Sequence, residues 1–244
     1  MDDLLKNDKM RSVVPETGET MMTDQRPSPT IEDYLGVIYT LDRNGERVIS
    51  ARLAQSLDVS APTVTATLKR MQRDGWVMMD EHKEIQLTPS GRSAAMNVIR
   101  RHMLTEWMLS RMLKLPLSEI HREAHQIEHT LSPEVAERLQ AELEDPRFCP
   151  HGNPLPGFEE EAQDWVALSS LSQGDSAIIR RIQEHLEEDY DVLTFLESKG
   201  VIPGAQFRVI ELLPFNETVM VSIDGNDVIL GLRLASDIYV SRLG

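Results

Sequence analysis

The stretch "SARLAQSLDVSAPTVTATLKRMQRDGWV", Ser50 to Val77, decides the fold. Ser50 is placed to cap a short helix that turns Leu53, Ala54 and Leu57 inward. Residues 58–60, "DVS", form a tight connection. A second helix is expected from about Ala61 to Asp74. Pro62 falls in its first turn, where a missing N–H costs nothing. Val64, Leu68 and Met71 recur at helical spacing and give it a buried face, and Gly75 stops it. Two short helices across a tight turn make a helix-turn-helix. The following "WVMMD", "EHKE" and "IQLT", residues 76–88, read as strand, turn and strand, so the unit is expected to carry a wing.

Upstream, Thr30 is expected to cap a helix, with Asp33 as its capping-box-like partner. Ile31, Tyr34, Leu35, Ile38, Tyr39 and Leu41 form its apolar face, and "DRNGE", residues 42–46, ends it. Residues 1–29 show little periodicity and read as a disordered N-terminal arm. A winged helix-turn-helix DNA-binding domain is thus expected over 30–92.

Downstream, Thr88-Pro89 opens a long amphipathic helix running to about Leu113. A second helix follows from Leu117 to Leu131, and a third from Ser132-Pro133-Glu134 to about Asp145. This helical domain, 93–147, has enough apolar surface for a core and for pairing with a second subunit. Residues 148–164 hold most of "DPRFCPHGNPLPGFEEEAQD", with four prolines and no helical period, and read as a linker. The short apolar runs "DSAIIRRI", "QFRVIELL", "VMVSID" and "DVILGLR" alternate with turn residues. They suggest a small β-barrel over 165–244, with one helix from about Asp189 to Lys199. The fold class is mainly α with a small β domain.

The chain has 244 residues and a net charge of −15, which taken alone argues against nucleic acid. Distribution matters more than the sum. Residues 50–101 carry eight Lys/Arg against five Asp/Glu, whereas residues 134–191 carry four against fifteen. A mildly basic module sits beside an acidic one. No long apolar run or secretory signal is present, so no membrane role is expected. The single cysteine, Cys149, excludes an intrachain disulfide framework and fits a reducing cytoplasm.

On the second helix of the helix-turn-helix, Ser60, Pro62, Thr63 and Thr65 stand at the end that would face DNA. Lys69, Arg70 and Arg73 lie further along and can neutralise phosphate. Gln, Asn and Arg are missing from the first two turns. Affinity is therefore expected to rest on phosphate contacts and dimer spacing more than on bidentate base readout.

The histidines carry the second signal. His125, Glu128 and His129 fall at i, i+3 and i+4, so on a helix they share one face. His121 lies on the same side, and His102 and Glu106 pair at i, i+4 on the preceding helix. Four imidazoles and two carboxylates facing one another are costly as core and improbable as solvated decoration, but suit a divalent metal. The string H-x-x-E-H also matches inverted zinc proteases, so a metal-dependent hydrolase is the alternative. A metal buffer without DNA affinity is a third. Cys149 and His151 fit a ligand role or an ordinary buried thiol and turn histidine equally. The run "EEDYD", Glu187 to Asp191, reads as a charged helix start.

Taken in order, "IEDYLGVIYTL", "VSAPTVTATLKRMQRDGWV", "LTPSGRSAAMNVIRRHMLTEWML", "IHREAHQIEHTLS" and "CPHGNPLPG" resemble the diphtheria-toxin-repressor family of iron- or manganese-dependent repressors. The likeness is close over about 30–157. It is looser over 165–244, which resembles the family's SH3-like (FeoA-like) barrel. The resemblance implies a primary metal site at Asp33, His125, Glu128 and His129. Iron-type members carry methionine at position 33 and cysteine at 125, and manganese-type members carry aspartate and usually glutamate. Histidine at 125 matches neither. The resemblance also implies a second site at His102, Glu106 and His121, with Asp189 from the barrel. Streptococcal-type members use the Cys149 and His151 positions together with Glu106. A donor set without sulfur at the primary site suits Mn(II) or Fe(II) as cofactor, and its likeness to manganese-type members leans the expectation to Mn(II). The expectation is a cytoplasmic homodimer, not an enzyme, that represses metal-uptake genes from a palindromic DNA operator when metal is bound.

Overall fold

The computed structural model describes residues 26–243, so the expected arm up to residue 25 lies outside the described residues. Helices α1 (Pro29–Arg43), α2 (Ser50–Ser56) and α3 (Ala61–Arg73) are followed by the hairpin β1 (Val77–Met79) and β2 (Ile85–Leu87). The strands pair antiparallel with Val77 opposite Leu87. Tyr34, Leu35 and Ile38 of α1, Leu53 of α2, and Val64, Leu68 and Met71 of α3 close one core with Val77 and Ile85 of the wing. Ser60 caps α3 by accepting from the Thr63 N–H.

Two capping expectations are corrected. The cap position of α1 is Ser28, with Pro29 at the first helical position, not Thr30. Asp33 is therefore one turn further in, free of capping duty. Helix α2 begins at Ser50 itself, with Ile49 at the cap position and no side-chain cap.

Helix α4 (Pro89–Arg111) runs from the winged unit into the next domain. Thr88 caps it and also donates to the Gly75 and Trp76 carbonyls, locking the helix to the recognition unit. A side chain at Gly91 would collide with the Trp76 carbonyl, so glycine permits this close passage. Helices α5 (Leu117–Ile127) and α6 (Pro133–Glu142) pack on α4. The expected helix to Leu131 ends earlier: Glu128–Thr130 tighten into a 3₁₀ turn.

The expected Pro-rich linker is packed rather than loose. Cys149, His151, Asn153 and Leu155 are all buried, and Phe148 bridges to Pro154. Gly152 lies at φ +87°, and a side chain there would collide with the Arg180 carbonyl. This turn presses His151 against the C-terminal unit, whose Ile182 N–H donates to the His151 carbonyl.

That unit contains β3 (Val166–Ala167), β4 (Ser176–Ile182), α7 (Tyr190–Ser198), β5 (Gln206–Leu213), β6 (Thr218–Ile223), β7 (Asn226–Gly231), α8 (Leu232–Ser236) and β8 (Ile238–Arg242). The strands form one antiparallel sheet in the order β3-β8-β4-β5-β6-β7. Bulges near Arg181 and Glu211 help it curl around a core that includes Ile179, Ile182, Val209, Val221 and Ile238. The four apolar runs became β4 to β7. The short β3, and β8 within "DIYVSR", gave too little pattern to stand out. Helix α7 also reaches the helical domain: Glu197 accepts from the Leu117 and Ser118 N–H groups at the start of α5.

Candidate metal centre

Two clusters of potential ligands face a cleft of about 1130 Å³ lined by α1, α4, α5 and the segment before α7. In the first, Asp33 of α1 meets His125 of α5 and Glu128 and His129 of the 3₁₀ turn, with ligand atoms within 4.8 Å of one another. His129 Nε2 lies 3.0 Å from Asp33 Oδ1 and 3.4 Å from Glu128 Oε1. His125 Nδ1 is 3.2 Å from Glu128 Oε1. His125 is 58% exposed, whereas Glu128 is nearly buried. All four residues expected from the sequence converge here, even though the helix carrying three of them tightens midway.

In the second cluster, His102 and Glu106 of α4 meet His121 of α5 and Glu187, within the same 4.8 Å span. Glu106, Cys149 and His151 form an overlapping group. His121 Nδ1 is 2.9 Å from Glu187 Oε2 and 3.4 Å from Glu106 Oε1. His151 Nδ1 lies 3.4 Å from Glu106 and 3.5 Å from Glu187. The two expected alternatives for a second site therefore occupy one place and share Glu106.

Asp189 is not part of it. Its carboxylate caps α7 by accepting from the Val192 N–H. Glu187, two residues earlier in the run read as a charged helix start, is buried and stands in the cluster where Asp189 was expected. The buried Asn153 amide donates to Glu187 at 2.5 Å and accepts from Arg181. Charge density alone could not single out Glu187 among its acidic neighbours, because only packing separates the buried carboxylate from the solvated ones.

His102 stands between the clusters. Its Nδ1 lies 2.5 Å from Glu128, and its Nε2 lies 3.0 Å from His121 and 3.2 Å from Glu106. Burial opposes the charge on His102, but Glu106 and Glu128 overcome it and raise its pKa well above the ordinary value. Burial likewise pulls His121 down, yet Glu106 and Glu187 carry it up to about 9. Burial would raise Glu128, but His102 and His125 hold it down to about 2. Asp33 is raised, first by burial and further by Glu128, against the pull of His129 and His125. The Cys149 thiol is pushed well up by burial and by Glu106 and Glu187.

Three buried atoms in these clusters lack a hydrogen-bond partner: Asp33 Oδ1, Glu106 Oε2 and His151 Nδ1. Unpartnered buried acceptors are costly, and these three sit where converging carboxylate and imidazole ligands would face a cation. The donor set fits a divalent metal.

Sequence reasoning also missed Glu32 and Arg101. Both are buried charges, Glu32 1% and Arg101 7% exposed, and they pair at 2.7 Å. Adjacent Glu32-Asp33 could have raised the possibility, since a metal-binding imidazole commonly needs a carboxylate on its other nitrogen.

The expected DNA-facing residues Ser60, Pro62, Thr63, Thr65, Lys69, Arg70 and Arg73 are all exposed on α3 or at its cap. Ser60 and Thr63 share a hydrogen bond, and Thr65 donates to the Ala61 carbonyl. Arg73 is engaged by Asp74 through two contacts, which leaves Lys69 and Arg70 as the less committed cations.

Residues 27–85 match the family model "Iron dependent repressor, N-terminal DNA binding domain", and residues 88–157 match "Iron dependent repressor, metal binding and dimerisation domain". Residues 166–242 match "FeoA domain". The iron-dependent repressor IdeR of Mycobacterium tuberculosis is 35% identical over 225 residues, covering 88% of this chain and 97% of that protein. The chain belongs to the diphtheria-toxin-repressor family. The diphtheria toxin repressor of Corynebacterium diphtheriae is 34% identical over 223 residues, again 88% of this chain and 97% of the relative. A solved "Manganese-dependent transcriptional repressor complex with manganese" superposes with a TM-score of 0.76 at 32% identity, over 87% of this chain and all of that one. ScaR with bound Zn2+ superposes at 0.71 and 29% identity, over 89% of this chain and all of that one. These family relatives are transcriptional repressors, so the hydrolase alternative read from H-x-x-E-H is set aside. Among the described residues, no helix is long and apolar enough to cross a membrane.

Proposed function

We propose that this chain is a cytoplasmic, homodimeric repressor of metal-uptake genes that binds a palindromic operator when loaded with Mn(II), in preference to Fe(II). The observation that carries the reading is Asp33. It belongs to α1 of the DNA-binding domain, yet converges with His125, Glu128 and His129 from the neighbouring domain, and one of its buried oxygens has no partner. The primary site in this reading is Asp33, His125, Glu128 and His129. The second is His102, Glu106, His121 and Glu187, with Cys149 and His151 at its buried edge.

A divalent cation at the primary site would supply positive charge to two carboxylates that otherwise raise each other's cost of ionisation. Glu128 already works against Asp33 in this way. Asp33 brings α1 to the cluster, and α1 shares its core with α3. Fixing Asp33 therefore fixes the orientation of the recognition helix relative to the dimerisation helices. Neutral imidazole and ionised carboxylate are the required forms, so ligand binding must displace the protons that His102 and His121 hold. A clean switch needs the competent state favoured by about 5.5 kcal/mol, the cost of moving from 1:99 to 99:1. The preference for manganese rests on oxygen and nitrogen donors at positions where the resemblance places sulfur in iron-type relatives.

A gel shift on promoters of metal-uptake genes tests the reading. Mobility should change with Mn(II), respond less to Fe(II) under anaerobic conditions, and revert with chelator. Tight binding that ignores metal would refute the switch, and a stronger response to Fe(II) would refute the metal preference.

A further inference from the structure

Glu32 is a buried carboxylate beside the proposed primary site, and none of the expected ligand roles uses it. Its Oε2 lies 2.7 Å from His129 Nδ1. Its Oε1 accepts from Arg101 Nη2 at 2.7 Å and from Arg26 Nε at 3.0 Å. Arg101 also donates from Nε to the Glu128 carbonyl at 3.1 Å. Arg26, just ahead of α1, donates from Nη2 to the His129 carbonyl at 2.9 Å and from Nη1 to the Leu131 carbonyl at 3.4 Å.

We infer that Glu32 is the positioning residue of His129, and that Arg26 and Arg101 hold Glu32 in place. The inference rests on the assignment of His129 as a primary-site ligand. Successive helical residues point about 100° apart, so Glu32 and Asp33 reach opposite sides of the same imidazole. Asp33 approaches Nε2, and Glu32 takes Nδ1. A proton on Nδ1 is held by Glu32, which leaves the Nε2 lone pair for the cluster. This fixes both tautomer and ring plane, as an outer carboxylate does for a metal-binding histidine. The two guanidinium groups give Glu32 charged donors, and their other bonds grip the 3₁₀ turn by its carbonyls. Helix α1 of the DNA-binding domain thereby sets one histidine of the site from both sides. Arg26, 42% exposed, is the half of the clamp that solvent can reach.

The test titrates the metal-free full chain with Mn(II) alone, resolving the two sites by the electron spin resonance signal of unbound ion. Glu32→Gln keeps the size but cannot accept from three donors at once. Its primary-site Kd should rise about 10–100-fold, with the second site unchanged. Arg26→Ala, at a half-exposed position, should raise the same Kd by less than about tenfold. Proton and nitrogen NMR of the protein loaded with diamagnetic Zn(II) should show the His129 Nδ1 proton hydrogen-bonded to a carboxylate, a signature lost in Glu32→Gln. If Glu32→Gln binds normally, or weakens both sites equally, the positioning role is overturned. Should Glu32→Gln fail to fold, an unchanged primary-site Kd in Arg26→Ala would overturn the clamp. His129→Ala separates the two layers. Normal primary-site binding in that variant removes the site assignment itself, whereas loss there with normal Glu32→Gln removes only the positioning role.

Discussion

The two ligand clusters differ in what they join and how far water reaches them. The Asp33 cluster ties the DNA-binding domain to the end of α5, and His125 there is 58% exposed. The Glu106 cluster ties α4 and α5 to the Cys149–His151 turn and to Glu187, and both Glu106 and His151 are fully buried. A half-open cluster at a domain boundary can gain or lose a cation with little disturbance of the core. A closed one is part of the packing. The contrast makes the first the better switch and the second the better brace that keeps the C-terminal sheet docked.

Glu128→Ala and Glu106→Ala are the strongest attempts to break that contrast. Glu128→Ala should abolish the metal response, a loss approaching the full 10⁴-fold bias of about 5.5 kcal/mol, while the dimer persists in sedimentation. A normal metal response in that variant would remove Glu128 from the switch. Glu106→Ala leaves buried imidazoles without their anion and should lower unfolding free energy by about 3–5 kcal/mol in urea titrations of the metal-free protein. If Glu106→Ala is no less stable than wild type, the brace is not structural.

Substitution at 187 and 189 sharpens the assignment. Glu187→Ala should weaken the second site about 10–100-fold, on the scale of a lost shell partner or ligand. Asp189→Ala should cost about 1 kcal/mol through its lost cap and leave metal affinity alone. The reverse pattern would restore the sequence expectation.

Stability of the metal-free protein should fall at both ends of the pH scale. His121, raised from 6.5 to about 9, contributes stability that is complete below pH 6.5 and is lost as pH rises through about 9. Glu128, lowered from 4.5 to about 2, contributes stability present above pH 4.5 and lost as pH falls through about 2. His121→Gln should therefore flatten the alkaline limb of a stability-versus-pH curve and spare the acid limb. An unchanged alkaline limb would show that His121 is not charged in the fold. The smallest effect expected is at the recognition helix. Arg70→Ala should weaken DNA binding across sequences and reduce the salt slope by about one. A sequence-selective loss would mean base readout instead of phosphate contact.

Much of this molecule was legible as pattern. The spacing of Val64, Leu68 and Met71, with proline in the first turn and Gly75 after it, placed the recognition helix to within a residue. Helical spacing also grouped His125 with Glu128 and His129, and His102 with Glu106, because neighbours along a helix share a face whatever the fold. The resemblance, rather than periodicity, brought Asp33 to that group.

The rest depended on contacts distant in sequence. Whether a carboxylate in "EEDYD" is solvated or buried depends on Asn153 and His121, far from it in the chain, and that decided for Glu187 over Asp189. The Pro-rich segment looked like a linker because it lacks period, yet Cys149 and Leu155 are buried in the winged-unit core and His151 is pressed against the sheet. In the sequence Glu32 is one acidic residue in a helix's first turn, and its contacts with His129, Arg26 and Arg101 exist only in the fold. Local periodicity and side-chain chemistry were enough for the helices, the longer strands and the kinds of donor they carry, since these depend on near neighbours in the chain. Tertiary structure alone decided which charges are buried together, because desolvation is a property of the packed whole.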